Sequence, residues 1–138
     1  MAYRLTALIG MRAGEPTNLE LASKVRDGLR YRALLDIARH AGLTIEELAA
    51  ALGLARRTLD RRRRSGAIDP RTSEKLVRLA RVVARAEQVL GSVDEMRRWL
   101  RAPNRALGGE APLALLDTDL GGEAILDLLG RIEHGVYS

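Results

Sequence analysis

Six arginines stand within nine residues of this chain: Arg56, Arg57, Arg61, Arg62, Arg63 and Arg64. Guanidinium groups stay charged throughout the physiological pH range, bind phosphate oxygens, and fork onto the acceptor pair of guanine in the DNA major groove. A charge run by itself equally describes a solvated helix face. What favours a polyanion is where the run falls. Thr44-Ile45-Glu46-Glu47 forms a capping box, in which the Thr44 hydroxyl accepts from the Glu47 amide and the Glu47 carboxylate reaches back. The helix it opens turns Leu48, Ala49 and Leu52 inward, breaks at Gly53-Leu54, and restarts at Ala55. Ala49 is small enough for two helices to cross closely, and Leu48, Leu52, Leu54 and Leu59 suit the core of a helix-turn-helix. In that slot the first residues of the second helix face bases, which makes Arg56, Arg57 and Thr58 the base-contact candidates. Arg61, Arg62, Arg63 and Arg64 circle the helix, so they divide between phosphate and solvent. Arg62 stands where many helix-turn-helix units carry an apolar residue, so this unit is expected to lean on the helix that follows.

Other reactive side chains are sparse. There is no cysteine, the two histidines are His40 and His134, and no His, Asp or Glu pair has a recognisable metal-ligand spacing. His40 precedes Gly42 and is simplest as a residue favoured by a helix C-terminus. Leu-Gly-Gly-Glu occurs at 107–110 and 120–123 without the lysine and hydroxyl of a phosphate loop, and both copies read as turns. The expectation is a protein that is not an enzyme, binds no metal and needs no cofactor.

The elements that must position the arginines follow from composition and punctuation. With 138 residues, 46% hydrophobic residues, no Phe and 3% aromatics, the core must be built from Leu, Ala, Ile and Val, which favours helices. The net charge of +5 is distributed unevenly. Residues 1–103 hold 21 Lys and Arg against 12 Asp and Glu, whereas residues 104–138 hold 2 against 6, so the two ends should meet different partners. Residues 1–17 read as an arm. Asn18 is a candidate N-cap for a helix carrying Leu21, Ala22, Val25 and Leu29, interrupted at Gly28; a second helix carries Leu34, Leu35, Ile37 and Ala38. Asp69-Pro70 opens a long helix to Leu90. Its residues Leu76, Leu79, Val83, Ala86 and Leu90 recur at alternating spacings of three and four, which suits an internal core helix better than a coiled coil of only two heptads. Ser92-Val93-Asp94-Glu95 reads as a second capping box, for a helix ending before Pro103. Asn104–Pro112 is a glycine-rich connection, 113–116 a short apolar turn, and Asp119–Arg131 a last helix with Ile125, Leu128, Leu129 and Ile132 on one side. No stretch approaches the roughly 18 apolar residues of a membrane span, and no secretory cleavage pattern follows the first eleven residues. The expected place is the cytoplasm, at the nucleoid when on DNA, without membrane contact.

From Trp99 onward several short motifs follow in order: Trp99-Leu100, then Pro103-Asn104-Arg105-Ala106-Leu107-Gly108-Gly109, Pro112-Leu113-Ala114-Leu115-Leu116-Asp117-Thr118, and Gly130-Arg131-Ile132-Glu133-His134-Gly135. This series resembles the toxin-binding domain of the Xre/MbcA/ParS antitoxins, closely over residues 70–138, while the helix-turn-helix before it fits the Xre-like half more loosely. The resemblance implies an antitoxin that represses its own operon and neutralises a RES-type toxin, a class that consumes NAD or transfers ADP-ribose from it. It also implies that the C-terminal segment covers the toxin's active site. Carried to matching positions, Arg131, Glu133, His134, Gly135, Val136 and Tyr137 form the plug, with Asp117 and Thr118 behind it. Tyr137 and Val136 have the bulk to fill a pocket, Gly135 allows close backbone approach, and a carboxylate at Ser138 would oppose cations that hold a dinucleotide's phosphates. Arg131 and Glu133 have the alternative of pairing within the molecule, Asp117-Thr118 that of capping the last helix, and His134 that of an ordinary hydrogen-bonding residue.

The expected architecture is therefore all-α: an arm (1–17), an Xre-like helix-turn-helix unit (18–68) and a helical toxin-binding unit (69–138). The expected partners are operator DNA, the cognate RES-type toxin and a second copy of the chain, assembling into a higher-order complex with the toxin. Two further classes stay open. One is a stand-alone helix-turn-helix regulator whose C-terminal unit dimerises or binds another partner, and the other is a scaffold that never touches DNA.

Overall fold

A computed structural model describes residues 16–135. Among these the chain forms seven α-helices and two 3-10 turns: α1 (Asn18–Asp27), α2 (Tyr31–Ala41), α3 (Ile45–Ala51), α4 (Arg56–Ser65), α5 (Pro70–Leu90), α6 (Val93–Arg101), the turns η1 (Arg105–Leu107) and η2 (Pro112–Leu115), and α7 (Asp119–Glu133). The protein is all-α, a helix-turn-helix followed by a C-terminal helical region. Strand-like pairing among the described residues is confined to one antiparallel bridge between Arg30 and Ala67.

The helix boundaries follow local chemistry. Thr44 caps α3 with a complete capping box, its hydroxyl accepting from the Glu47 amide at 3.0 Å while Glu47 accepts from the Thr44 amide at 2.9 Å. Asp69 caps α5 by accepting from the Thr72 amide at 3.1 Å, with Pro70 in the first turn where its missing N–H leaves nothing unsatisfied. Two expectations are corrected. The cap of α1 is Thr17, not Asn18: Thr17 forms a capping box with Glu20, and the Asn18 carboxamide instead accepts from Arg81 at 2.9 Å. At α6 only half the box forms, because Ser92 accepts from the Glu95 amide at 3.1 Å while the Glu95 carboxylate turns to Arg98. The second Leu-Gly-Gly-Glu is likewise no turn but the first coil of α7, capped by Thr118, whose hydroxyl accepts from the Gly121 amide at 3.0 Å.

α5 is the axis of the molecule. Leu76, Leu79, Val83 and Ala86 are each no more than 1% exposed, so the heptad-like spacing is that of a core helix, packed by α1 and α2 on the N-terminal side and by α6 and α7 on the C-terminal side. One hydrophobic cluster runs through both halves, from Leu34, Leu48, Leu52 and Leu59 to Met96, Leu100, Leu116 and Ile125. Each such leucine contributes about 1.5–3 kcal/mol on burial, so neither half is independent of the other.

Arginines from α6 reinforce this union. Arg97 donates to the His40 carbonyl at 2.9 and 3.1 Å, at the C-terminal end of α2, where the helix leaves carbonyls unpaired. Arg101 grips the Glu47 carboxylate through Nε at 2.8 Å and Nη2 at 3.0 Å and also reaches the Gly42 carbonyl. The hydrogen bond from Arg101, with the amide of Thr44, holds the Glu47 carboxyl down to about 2, from an ordinary value of 4.5. A carboxyl depressed in the folded state contributes stability that is complete above its unfolded value and is lost as pH falls through the folded one. Acidification from pH 5 to 2 should therefore lower the unfolding midpoint of the intact protein more steeply than that of Arg101→Ala. Parallel midpoint curves would show that the pair does not link folding to protons.

Candidate functional site

α4 lies across the Gly53 turn from α3. Gly53 takes the left-handed backbone (φ +64), and the turn closes with the Leu54 amide donating to the Ala49 carbonyl at 2.9 Å. Leu59 is 0% exposed and fixes the inner face of α4. At 100° per residue the positions opposite Leu59 are 57, 61 and 64, while 56, 60 and 63 share one flank and 58 and 62 the other.

The seven nominated residues separate on this wheel. Arg57, Arg61 and Arg64, on the outermost line, are exposed, as is Arg63 on the flank, and none has a carboxylate within ion-pair distance. Arg56 is engaged by Glu46 and lies 3.6 Å from Asp60. Arg62, half-buried, donates through Nε to Asp69 at 2.9 Å. That bond explains how an arginine occupies a position where an apolar residue is usual: it ties α4 to the cap of α5. Burial acts to raise the Asp69 carboxyl, but the Thr72 hydrogen bonds and the Arg62 charge outweigh it and hold the group below its ordinary value. Thr58 is half-buried on the same flank. The first turn of α4 receives no side-chain cap, since its N-cap residue is Ala55.

The C-terminal candidates lie at the end of α7. Arg131 is exposed and does not pair with Glu133. Glu133 instead takes both terminal nitrogens of Arg85, at 2.6 and 3.0 Å, which hold its carboxyl below the ordinary range. His134 caps the helix through its backbone and is exposed, with Nε2 3.9 Å from Glu133; Gly135 follows with φ +70. Val136, Tyr137 and Ser138 lie outside the described residues. Behind this end Thr118 caps α7, whereas Asp117 sits by the helix-turn-helix turn, its Cβ 3.5 Å from where a Gly53 side chain would begin.

Arg85, Arg97 and Arg101 carry no spacing signal in the sequence, because their partners lie 48 to 59 residues away. His40, placed in the last turn of α2 as expected, also has a partner that only the fold supplies: its Nε2 lies 3.1 Å from the buried Glu87 carboxylate. Among the described residues no cluster of His, Cys, Asp and Glu has the makings of a metal site, and no helix is long and apolar enough to cross a membrane.

Comparison with known proteins covers both regions. Residues 20–81 match the antitoxin Xre-like helix-turn-helix domain, and residues 85–135 match the antitoxin Xre/MbcA/ParS C-terminal toxin-binding domain. The chain is 33% identical over 132 residues to Antitoxin Xre of Yersinia enterocolitica, covering 94% of this chain and 88% of that protein. It is 28% identical over 120 residues to Antitoxin Xre of Pseudomonas putida, covering 86% and 74% respectively. Among solved structures, a chain of the M. tuberculosis MbcT-MbcA toxin-antitoxin complex superposes with a TM-score of 0.58 at 26% identity, covering 76% of this chain and 94% of that one.

Proposed function

Because this chain belongs to the Xre antitoxins of toxin–antitoxin systems, we propose that it silences a RES-type toxin with its C-terminal end and represses its own operon through α4. The observation that carries the DNA half is the outer line of α4: three arginines without a carboxylate partner, directly opposite the buried Leu59. Arg57 and Arg61 reach base edges, with Thr58 beside them. Arg63 and Arg64 hold phosphates. Arg56 and Arg62 act chiefly by setting the orientation of the helix through Glu46, Asp60 and Asp69. The uncapped first turn of α4 adds open amides and the positive end of a helix dipole where a phosphate would approach. Two copies present two such helices to a two-fold operator, which places the protein at the nucleoid.

The toxin half rests on the match of residues 85–135 to a toxin-binding domain and on the exposure of Arg131, His134 and Gly135 at its end. In this reading the segment 131–138 covers the toxin's NAD-binding cleft by steric occlusion, within a complex that stays on its promoter.

The DNA half is tested by equilibrium binding to the protein's own promoter fragment. Affinity should fall steeply with salt, and Arg57→Ala with Arg61→Ala should weaken binding by more than Arg56→Ala does, with a loss on the order of 1–3 kcal/mol for each base-reading arginine. A salt-independent affinity, or equal binding by the double variant, would exclude α4 as the reading helix.

A further inference from the structure

A second basic element adjoins α4, and nothing in the arginine run announces it. The chain before α2 lies antiparallel to the chain after α4: the Tyr31 amide donates to the Gly66 carbonyl at 3.1 Å, the Ile68 amide donates to the Leu29 carbonyl at 2.9 Å, and Arg30 is bridged to Ala67. Ser73 of α5, 0% exposed, fastens this clasp from behind, its hydroxyl accepting from the Leu29 amide at 2.9 Å and donating to the Ile68 carbonyl at 3.3 Å. Gly28 is required at its start. Its φ is +84, and a Cβ there would meet the Ile68 carbonyl oxygen at 2.5 Å.

The clasp is thus an ordered edge, and it gathers arginines from three helices. Arg30 stands at its centre, Arg32 in the first turn of α2, Arg64 at the end of α4 and Arg71 in the first turn of α5; all four are exposed. None makes an ion pair or a side-chain hydrogen bond, and Asp27, the acid nearest Arg30 in sequence, pairs with none of them. Elsewhere the fold answers its arginines: Arg78, Arg85, Arg97, Arg98 and Arg101 each hold a carboxylate or a backbone carbonyl. Four like charges held on a rigid edge without a counter-charge repel one another, a cost that an anion removes. α2 points its N-terminus to the same edge, with Arg30 as an N-cap residue that offers its amides no side-chain acceptor. Arg64 belongs both to this edge and to the outer line of α4, so a ligand meeting both must be an extended polyanion.

We propose that the clasp is a phosphate-backbone site for duplex DNA, in which Arg30, Arg32 and Arg71 anchor the strand beside the groove entered by α4. It rests on the assignment of α4 to DNA and extends it: α4 reads bases, and the clasp sets register without reading sequence.

The test is a salt series of equilibrium affinities for the full chain on its promoter fragment and on a scrambled duplex. Arg30→Ala with Arg32→Ala should lower the slope of log affinity against log salt by about 2 and weaken binding about 30-fold at 0.15 M salt, on both duplexes alike. The preference for promoter over scrambled DNA should survive in this variant and shrink in Arg57→Ala. Arg30→Lys with Arg32→Lys, which keeps the charges, should keep the slope. Arg98→Ala with Arg105→Ala removes the same net charge from α6 and η1 and should leave the slope near that of the parent. Circular dichroism checks that each variant keeps its helices. If the parent shows its steep slope and the Arg30/Arg32 alanine variant matches it, or loses no more than the Arg98/Arg105 control, the clasp is overturned while α4 stands. If the parent binds neither duplex, both assignments fall.

Discussion

A chain ending at Gly130 is expected to fold normally and to lose its power to rescue cells from the toxin encoded beside it. The removed segment begins after Leu128 and Leu129, which are 7% and 0% exposed, so the apolar anchors of α7 stay in place. What goes is the exposed end: Arg131, the Arg85–Glu133 pair, His134 and Gly135, with 136–138 beyond. Helix content should be nearly unchanged, while colony formation under toxin co-expression drops by orders of magnitude. Arg85→Ala separates the end itself from the ion pair that steadies it. That variant releases Glu133 but leaves the segment present, and rescue should persist. Equal rescue by the truncated and full-length chains would sink the plug, and failure of the full-length chain to rescue would favour a regulator that acts on DNA alone.

Gly121→Ala should be the most damaging single-methyl change in the C-terminal region. Gly121 lies in the first turn of α7, where a Cβ would sit far inside contact distance of the Leu115 carbonyl oxygen, with the Leu115 carbonyl carbon 2.8 Å away. Backbone cannot rotate aside as a side chain does, so η2 or α7 must shift and disturb Leu116 and Ile125, which are 1% and 0% exposed. A loss of roughly 3 kcal/mol, near the upper end for overpacking, corresponds to a fall of roughly 10 °C in the unfolding midpoint. Two neighbours calibrate this. At Gly122 the Cβ would meet the Arg78 side chain at 2.7 Å, which can swing away, so the effect should be smaller. At Gly130 nothing lies within 4 Å, and alanine should be neutral or stabilise by up to about 1 kcal/mol through helix propensity. Equal midpoints for all three alanine variants would show that the α7–η2 approach is looser than described.

The glycine pair also shows where sequence patterns mislead. The same four letters at 107–110 and 120–123 suggested one structure, yet the first copy surrounds two left-handed glycines after η1 and the second is helix. The difference lies in what flanks them. Thr118 caps the second copy three residues ahead of Gly121, and close packing on η2 then makes the missing side chain a requirement. Thr17 was misplaced for a related reason: a capping hydroxyl just inside an apparently irregular arm looks like the end of the arm until Glu20 is seen closing the box.

By itself the sequence determined the helices, the breaks between them, the apolar face of α5 and the family to which the chain belongs. These depend on interactions over a few residues, namely caps, left-handed glycines and side-chain periodicity, or on short ordered motifs, and all of them are written locally. Only the tertiary structure decided which charges are spent and which remain available. Arg56, Arg62, Arg85, Arg97 and Arg101 look no different in sequence from Arg57, Arg61, Arg30 and Arg71, yet the first group is engaged and the second faces solvent unpaired. An ion pair needs its partner within a few ångströms, and helices remote in sequence bring Glu47 to Arg101 and Glu133 to Arg85. The same packing lays the start of α2 against the end of α4 and turns a run of arginines on one helix into a basic edge shared by three.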